Sequence, residues 1–68
     1  MNRIKVKSSN IHSIGLENRI LEIKFHNNRI YRFLNVPENI FINFLESKSK
    51  GKFFHKFIKN FYSERRIL

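Results

Sequence analysis

Pro37 divides this chain into two kinds of hydrophobic pattern, and it is the only proline. Before it, apolar residues alternate. Residues 20–25 put Leu21, Ile23 and Phe25 on one side and Glu22 and Lys24 on the other, as a half-buried strand requires. Residues 29–35 read as a returning strand. Residues 11–16 add a shorter β-branched run in which Gly15 marks a bulge or a close approach. After Pro37 the period becomes helical. Pro37 and Glu38 suit a helix start, and Ile40, Phe41, Phe44 and Leu45 share one face. Ser47 to Gly51 break the pattern. Ser49 then reads as the N-cap of a second helix running to about Tyr62. Phe53, Phe54, Phe57, Ile58 and Phe61 fall on one side of it, and Lys52, His55, Lys56 and Lys59 on the other. The expectation is an α+β domain: a small three-stranded antiparallel sheet followed by two helices, β-β-β-α-α, with the helices on one sheet face.

At 68 residues the chain makes a single domain, 1–68, with 1–5 and 67–68 expected to fray. So short a chain buries a modest core, and such domains often add disulfides or a metal. Cysteine is absent. His12, His26 and His55 are scattered without ligand spacing, so neither a metal nor a cofactor is expected. Eight Phe and two Tyr are the remaining stabilising device, because each buries a large area. Weak self-association is left open. The apolar runs are too short for a signal-peptide core or a spanning helix, so the expectation is a soluble, cytoplasmic protein with no membrane association.

The 20–35 hairpin carries functional meaning through its loop length. A two-residue Asn27-Asn28 turn would pair Phe25 with Ile30 and Ile23 with Arg32, leaving Tyr31 and Phe33 on the open face with Lys24, His26 and Arg29. Bases stack on such a surface. A three-residue turn reverses the parity, sending Tyr31 and Phe33 into the core and Arg32 outward.

Fourteen Lys and Arg face five acidic residues, all Glu, for a net charge of +9. That imbalance favours polyanionic partners, although abundant Lys, Asn, Ile and Phe is also what an AT-rich genome encodes. Ser49-Lys50-Gly51-Lys52 suits either a phosphate or plain helix capping, with Gly51 letting another backbone pass. The stripe Lys52, Lys56 and Lys59 has no interleaved acid. Scattered glutamates, without Asp or Cys, provide no catalytic constellation, so no catalytic residue is assigned and no enzyme is expected.

Taken in order, "SSNIHSIGL", "LEIKF", "IYRFLNVP", "SKGKFF" and Arg65-Arg66-Ile67 resemble the KTSC family over about residues 6–67. That family is named for a small domain at the C-terminus of some lysyl-tRNA synthetases, and it includes short stand-alone bacterial proteins. Its Tyr-x-Tyr signature before Val-Pro resembles Tyr31-Arg32-Phe33 with Val36-Pro37, and its Ser-x-Gly helix start resembles Ser49-Lys50-Gly51 followed by Phe54. Phe33 lacks the second hydroxyl, Asn28-Arg29 replace a common Gly-Gly pair, and His55 stands where Asn is usual. The resemblance implies a small basic α+β domain, with RNA binding suggested for the family.

Together these readings lead to a nonenzymatic nucleic-acid-binding module, RNA ahead of DNA. Lys50, Lys52, Lys56, Lys59, Arg65 and Arg66 would contact phosphates, and Tyr31 and Phe33, or else Arg32, would meet bases. The alternative is a protein-interaction module docking on an acidic protein; attachment to an anionic membrane surface ranks third.

Overall fold

Two hairpins and one late strand build the sheet. The computed structural model describes residues 1–68. Strand β1 (Ile4–Lys5) pairs with β2 (Ile11–Glu17), β2 with β3 (Ile20–Phe25), and β3 with β4 (Ile30–Phe33), all antiparallel. Helix α1 (Glu38–Glu46) follows. Helix α2 (Lys50–Phe53) runs directly into a π-helical turn (Phe54–Ile58). Strand β5 (Glu64–Arg66) then returns to pair with β4, giving the order β1-β2-β3-β4-β5.

The α+β class and the two helices agree with the sequence pattern, but the sheet has five strands rather than three. Strand β1 is two residues long, too short to show alternation, and β5 lies in an arginine-rich tail. Both are made by their partners rather than by local pattern. The termini, expected to fray, carry ladder contacts: Ile4 stands opposite Ile14, and the Ile67 amide donates to the Ile30 carbonyl at 2.8 Å.

The β3–β4 loop resolves the parity question. Phe25 donates to the Arg29 carbonyl and Asn28 donates to the Phe25 carbonyl, both at 2.9 Å. His26, Asn27 and Asn28 therefore form a three-residue loop, and Asn28 alone takes the left-handed conformation, at φ 69°. The two-residue turn occurs instead in the β2–β3 hairpin, where Asn18 and Arg19 both have positive φ, 52° and 63°. A type I′ turn needs two such residues, whereas a three-residue loop needs one. Tyr31 consequently lies opposite Ile23, and Phe33 opposite Leu21, on the face that meets the helices.

Phe33 and Phe44 join Ile11, Ile14, Leu21, Ile23, Val36 and Ile58 as fully buried side chains. Phe54 enters from the π-helical turn and sets its ring edge-on to Phe25 at 5.5 Å and to Phe33 at 5.6 Å. The second helix ends before the expected Tyr62. The Lys59 amide reaches back to the Phe54 carbonyl, a π-type bond of 2.8 Å, and Asn60 at φ 70° turns the chain away. This extra residue per turn rotates the expected phenylalanine stripe. Phe54 and Ile58 point inward, but Phe57 is 43% exposed and Phe61, beyond the helix, 68%.

Candidate nucleic-acid interface

Residues 6–10 connect β1 to β2, and the segment from Ser8 to Asn10 is pinned on both sides. The Ser8 hydroxyl accepts from the Ile11 amide at 3.2 Å, and the Asn10 carbonyl accepts from the His26 amide at 2.9 Å. His26 Nε2 lies 2.9 Å from the Ser8 carbonyl. So anchored, the loop faces the start of α2 across a cleft of about 770 Å³. Five lysines line it: Lys7, Lys48, Lys50, Lys52 and Lys56. No carboxylate enters. Both ion pairs of the molecule belong to Glu22, so none of these lysines is neutralised. Lys50 is half-buried, its ammonium donating to the Ser47 carbonyl, while the other four are exposed. Close-set ammonium groups without acids create a positive potential that attracts polyanions.

Ser49 caps α2, its hydroxyl accepting from the Lys52 amide at 3.4 Å. Gly51 does not serve a backbone crossing. A Cβ there would meet only Asn10 Nδ2 at 3.7 Å, an ordinary contact, and no glycine has positive φ.

A second concavity of about 440 Å³ adjoins the cleft, and Ser9, Asn10, Gly51 and His55 belong to both. Its apolar lining is Ile11, Phe25, Tyr31, Phe33 and Phe54. Tyr31 is half-buried and meets Phe25 edge-on at 5.9 Å. Arg29, Lys59 and Glu64 stand among its polar residues.

The expected contact residues are thus divided. Lys50, Lys52 and Lys56 share the cleft; Lys59 and Tyr31 belong to the adjoining pocket, of which the fully buried Phe33 forms part of the lining. An open-face stacking platform of Tyr31 and Phe33 does not form, because the three-residue loop turns both toward the helices. Arg32 and Arg65 pair across β4 and β5 on the opposite, helix-free face. Arg66 stands opposite Tyr31, with its Nε donating to the Leu68 carbonyl at 3.2 Å. Sequence reasoning missed Lys7 and Lys48. Lys48 lies in the break it had recognised, but only the fold brings Lys7 across to it.

The helix-free face is organised by one carboxylate. Gly15, Glu22, Arg32 and Arg65 stand in register across β2 to β5. A Cβ on Gly15 would lie 2.5 Å from the Asn2 carbonyl oxygen, so the missing side chain lets β1 close down and Arg3 reach Glu22. Arg32 Nε donates to the other carboxylate oxygen at 2.8 Å. Burial alone would raise the Glu22 pKa, but the hydrogen bonds from Arg32 and Arg3, with their charges, hold it below the usual range. At the margin, the His12 pKa is lowered too, which for an imidazole favours the neutral form. Desolvation first, then Lys24, His26, Lys5 and Arg3, lower its pKa. The surface there is positive but partly self-compensated.

A five-stranded antiparallel meander, covered on one face by two short helices and bearing an unpaired lysine cleft, defines a small basic α+β domain. The chain belongs to the KTSC domain family, whose model matches residues 7–62. It is 34% identical over 61 residues to an uncharacterized protein of Stutzerimonas stutzeri strain A1501, covering 87% of this chain and 86% of that one. The crystal structure of a KTSC domain protein from Yersinia pestis superposes with a TM-score of 0.95 at 43% identity, covering 98% of this chain and 97% of that one.

Proposed function

We propose that this domain is a nonenzymatic nucleic-acid-binding module, with RNA preferred to DNA, acting in the cytoplasm. The observation that carries the reading is the cleft lined by Lys7, Lys48, Lys50, Lys52 and Lys56, into which no carboxylate projects. Four of those ammonium groups are exposed and available to a phosphate backbone. Lysines form such contacts as mobile point charges, neutralising phosphates and releasing their counterions without reading sequence. A single strand suits the cleft better than a duplex, since a concave channel beside aromatic rings receives backbone and bases together. Lys59 extends the contact set along the pocket, while Arg65 and Arg66 lie on β5 and take no part in the cleft.

Titration of labelled single-stranded RNA at two salt concentrations tests this. With four phosphates neutralised, the log–log salt slope is about −3 for a single strand. Negligible binding at both concentrations removes the reading.

A second reading, docking on an acidic protein, draws on the solvent-facing Phe57 and Phe61, with Lys56 Nζ 5.4 Å from the Phe57 ring centre. Aromatic rings beside cations suit an interface with acidic and apolar elements. A purified acidic partner that binds nuclease-treated domain, and loses binding on Phe61→Ser, would favour it.

A further inference from the structure

Gly51 poses a question that the fold leaves unanswered. Glycine within a helical turn costs up to about 1 kcal/mol against alanine, and is usually repaid by positive φ or by a close backbone approach. Gly51 shows neither: no glycine has positive φ, and a Cβ would meet only Asn10 Nδ2 at ordinary distance. Its position supplies a different reason. Gly51 belongs to the shared boundary of the lysine cleft and the aromatic pocket, so a side chain there would stand in the passage between them.

The pocket itself has the chemistry of one ligand class. The half-buried Phe25 and Tyr31 supply aromatic surface over the buried Phe54, with Phe25 edge-on to both neighbours at 5.9 and 5.5 Å. At about 440 Å³, it has the capacity of an ordinary small-ligand site. Asn10 can donate and accept hydrogen bonds and Glu64 accepts from amino groups, while Arg29 and Lys59 offer cations to a flanking phosphate. Flat apolar faces, polar edges and an attached anion describe a nucleotide.

We propose that this pocket is a single-nucleobase subsite, taking one unstacked base from a strand whose phosphates lie along the lysine cleft and whose sugar passes over Gly51. The proposal rests on the nucleic-acid reading and adds a base-dependent component to it. A cleft of lysines alone binds any polyanion of matching charge spacing; a base pocket makes the chain prefer RNA to its bare backbone.

The test compares, on the full chain, a single-stranded RNA of about ten nucleotides with an abasic strand of the same length and charge. The expected result is RNA binding about tenfold tighter than the abasic strand, the effect of one base stacked in a pocket. In Gly51→Leu that preference disappears, while the melting temperature stays at or above the wild-type value. Equal affinity of the unaltered chain for both strands overturns the base pocket and leaves the lysine cleft standing. A preference that survives unchanged in a folded Gly51→Leu variant also overturns it. No binding of either strand overturns this proposal and the nucleic-acid reading together.

Discussion

Glu22 on β3 and Arg32 on β4 stand directly opposite each other, joined by an Nε–Oε1 hydrogen bond of 2.8 Å, while Arg3, the residue before β1, takes the second carboxylate oxygen. One buried carboxylate thereby links strands that are not neighbours in the sheet.

Glu22→Gln keeps the shape but removes the charge. Weakening hydrogen bonds to charged groups costs about 1–3 kcal/mol, which lowers the melting temperature of a domain this size by roughly 4–24 °C. The pH dependence has a fixed sign. Because folding depresses the Glu22 pKa, the carboxylate's contribution is present above the ordinary value of 4.5 and is lost as pH falls through the depressed one. The stability gap between wild type and Glu22→Gln should therefore shrink on acidification, as thermal melts across that range would show. A gap that widens in acid would contradict the arrangement.

Gly15→Ala tests the closure of β1. The new Cβ would overlap the Asn2 carbonyl oxygen at 2.5 Å, and a backbone atom cannot step aside cheaply. The expected cost is about 1–3 kcal/mol, with faster hydrogen exchange at the β1–β2 ladder than at β3–β4. Uniform protection loss across the sheet would show that β1 does not yield locally.

The phenylalanines separate by burial. Phe54→Ala removes a ring held edge-on to both Phe25 and Phe33, at a cost of about 3–5 kcal/mol. Phe61→Ala, at a residue 68% exposed, should change stability by less than about 0.5 kcal/mol. Chemical denaturation distinguishes the two directly.

These differences also mark what the sequence could reveal. Alternation in Leu21, Ile23 and Phe25, and the helical spacing of Ile40, Phe41, Phe44 and Leu45, identified the core because burial imposes a period on contiguous residues. Strands β1 and β5 were hidden because two or three residues show no period and their pairing is tertiary. The fate of Tyr31 and Phe33 turned on one residue of loop length, decided by Asn28 alone adopting positive φ between His26 and Arg29. Phe57 and Phe61 left the apolar stripe because a π-helical turn, which the local sequence did not signal, changed the angular step. Part of the candidate site was legible: Lys52 and Lys56 showed in the acid-free stripe. Lys7 was not, since its approach depends on Ser8 and Asn10 fixing a loop against His26.

Two double charge reversals test the lysine cleft most directly, because they change net charge equally at different places. Lys52→Glu with Lys56→Glu alters the cleft; Lys5→Glu with Arg65→Glu alters the two edge strands. RNA affinity measured across a salt series should fall at least about tenfold for the cleft pair, with a slope shallower by about 1–1.5, and only a few-fold for the edge-strand pair. Equal losses, or a larger loss from the edge-strand pair, would contradict the assignment of the cleft as the phosphate-binding surface.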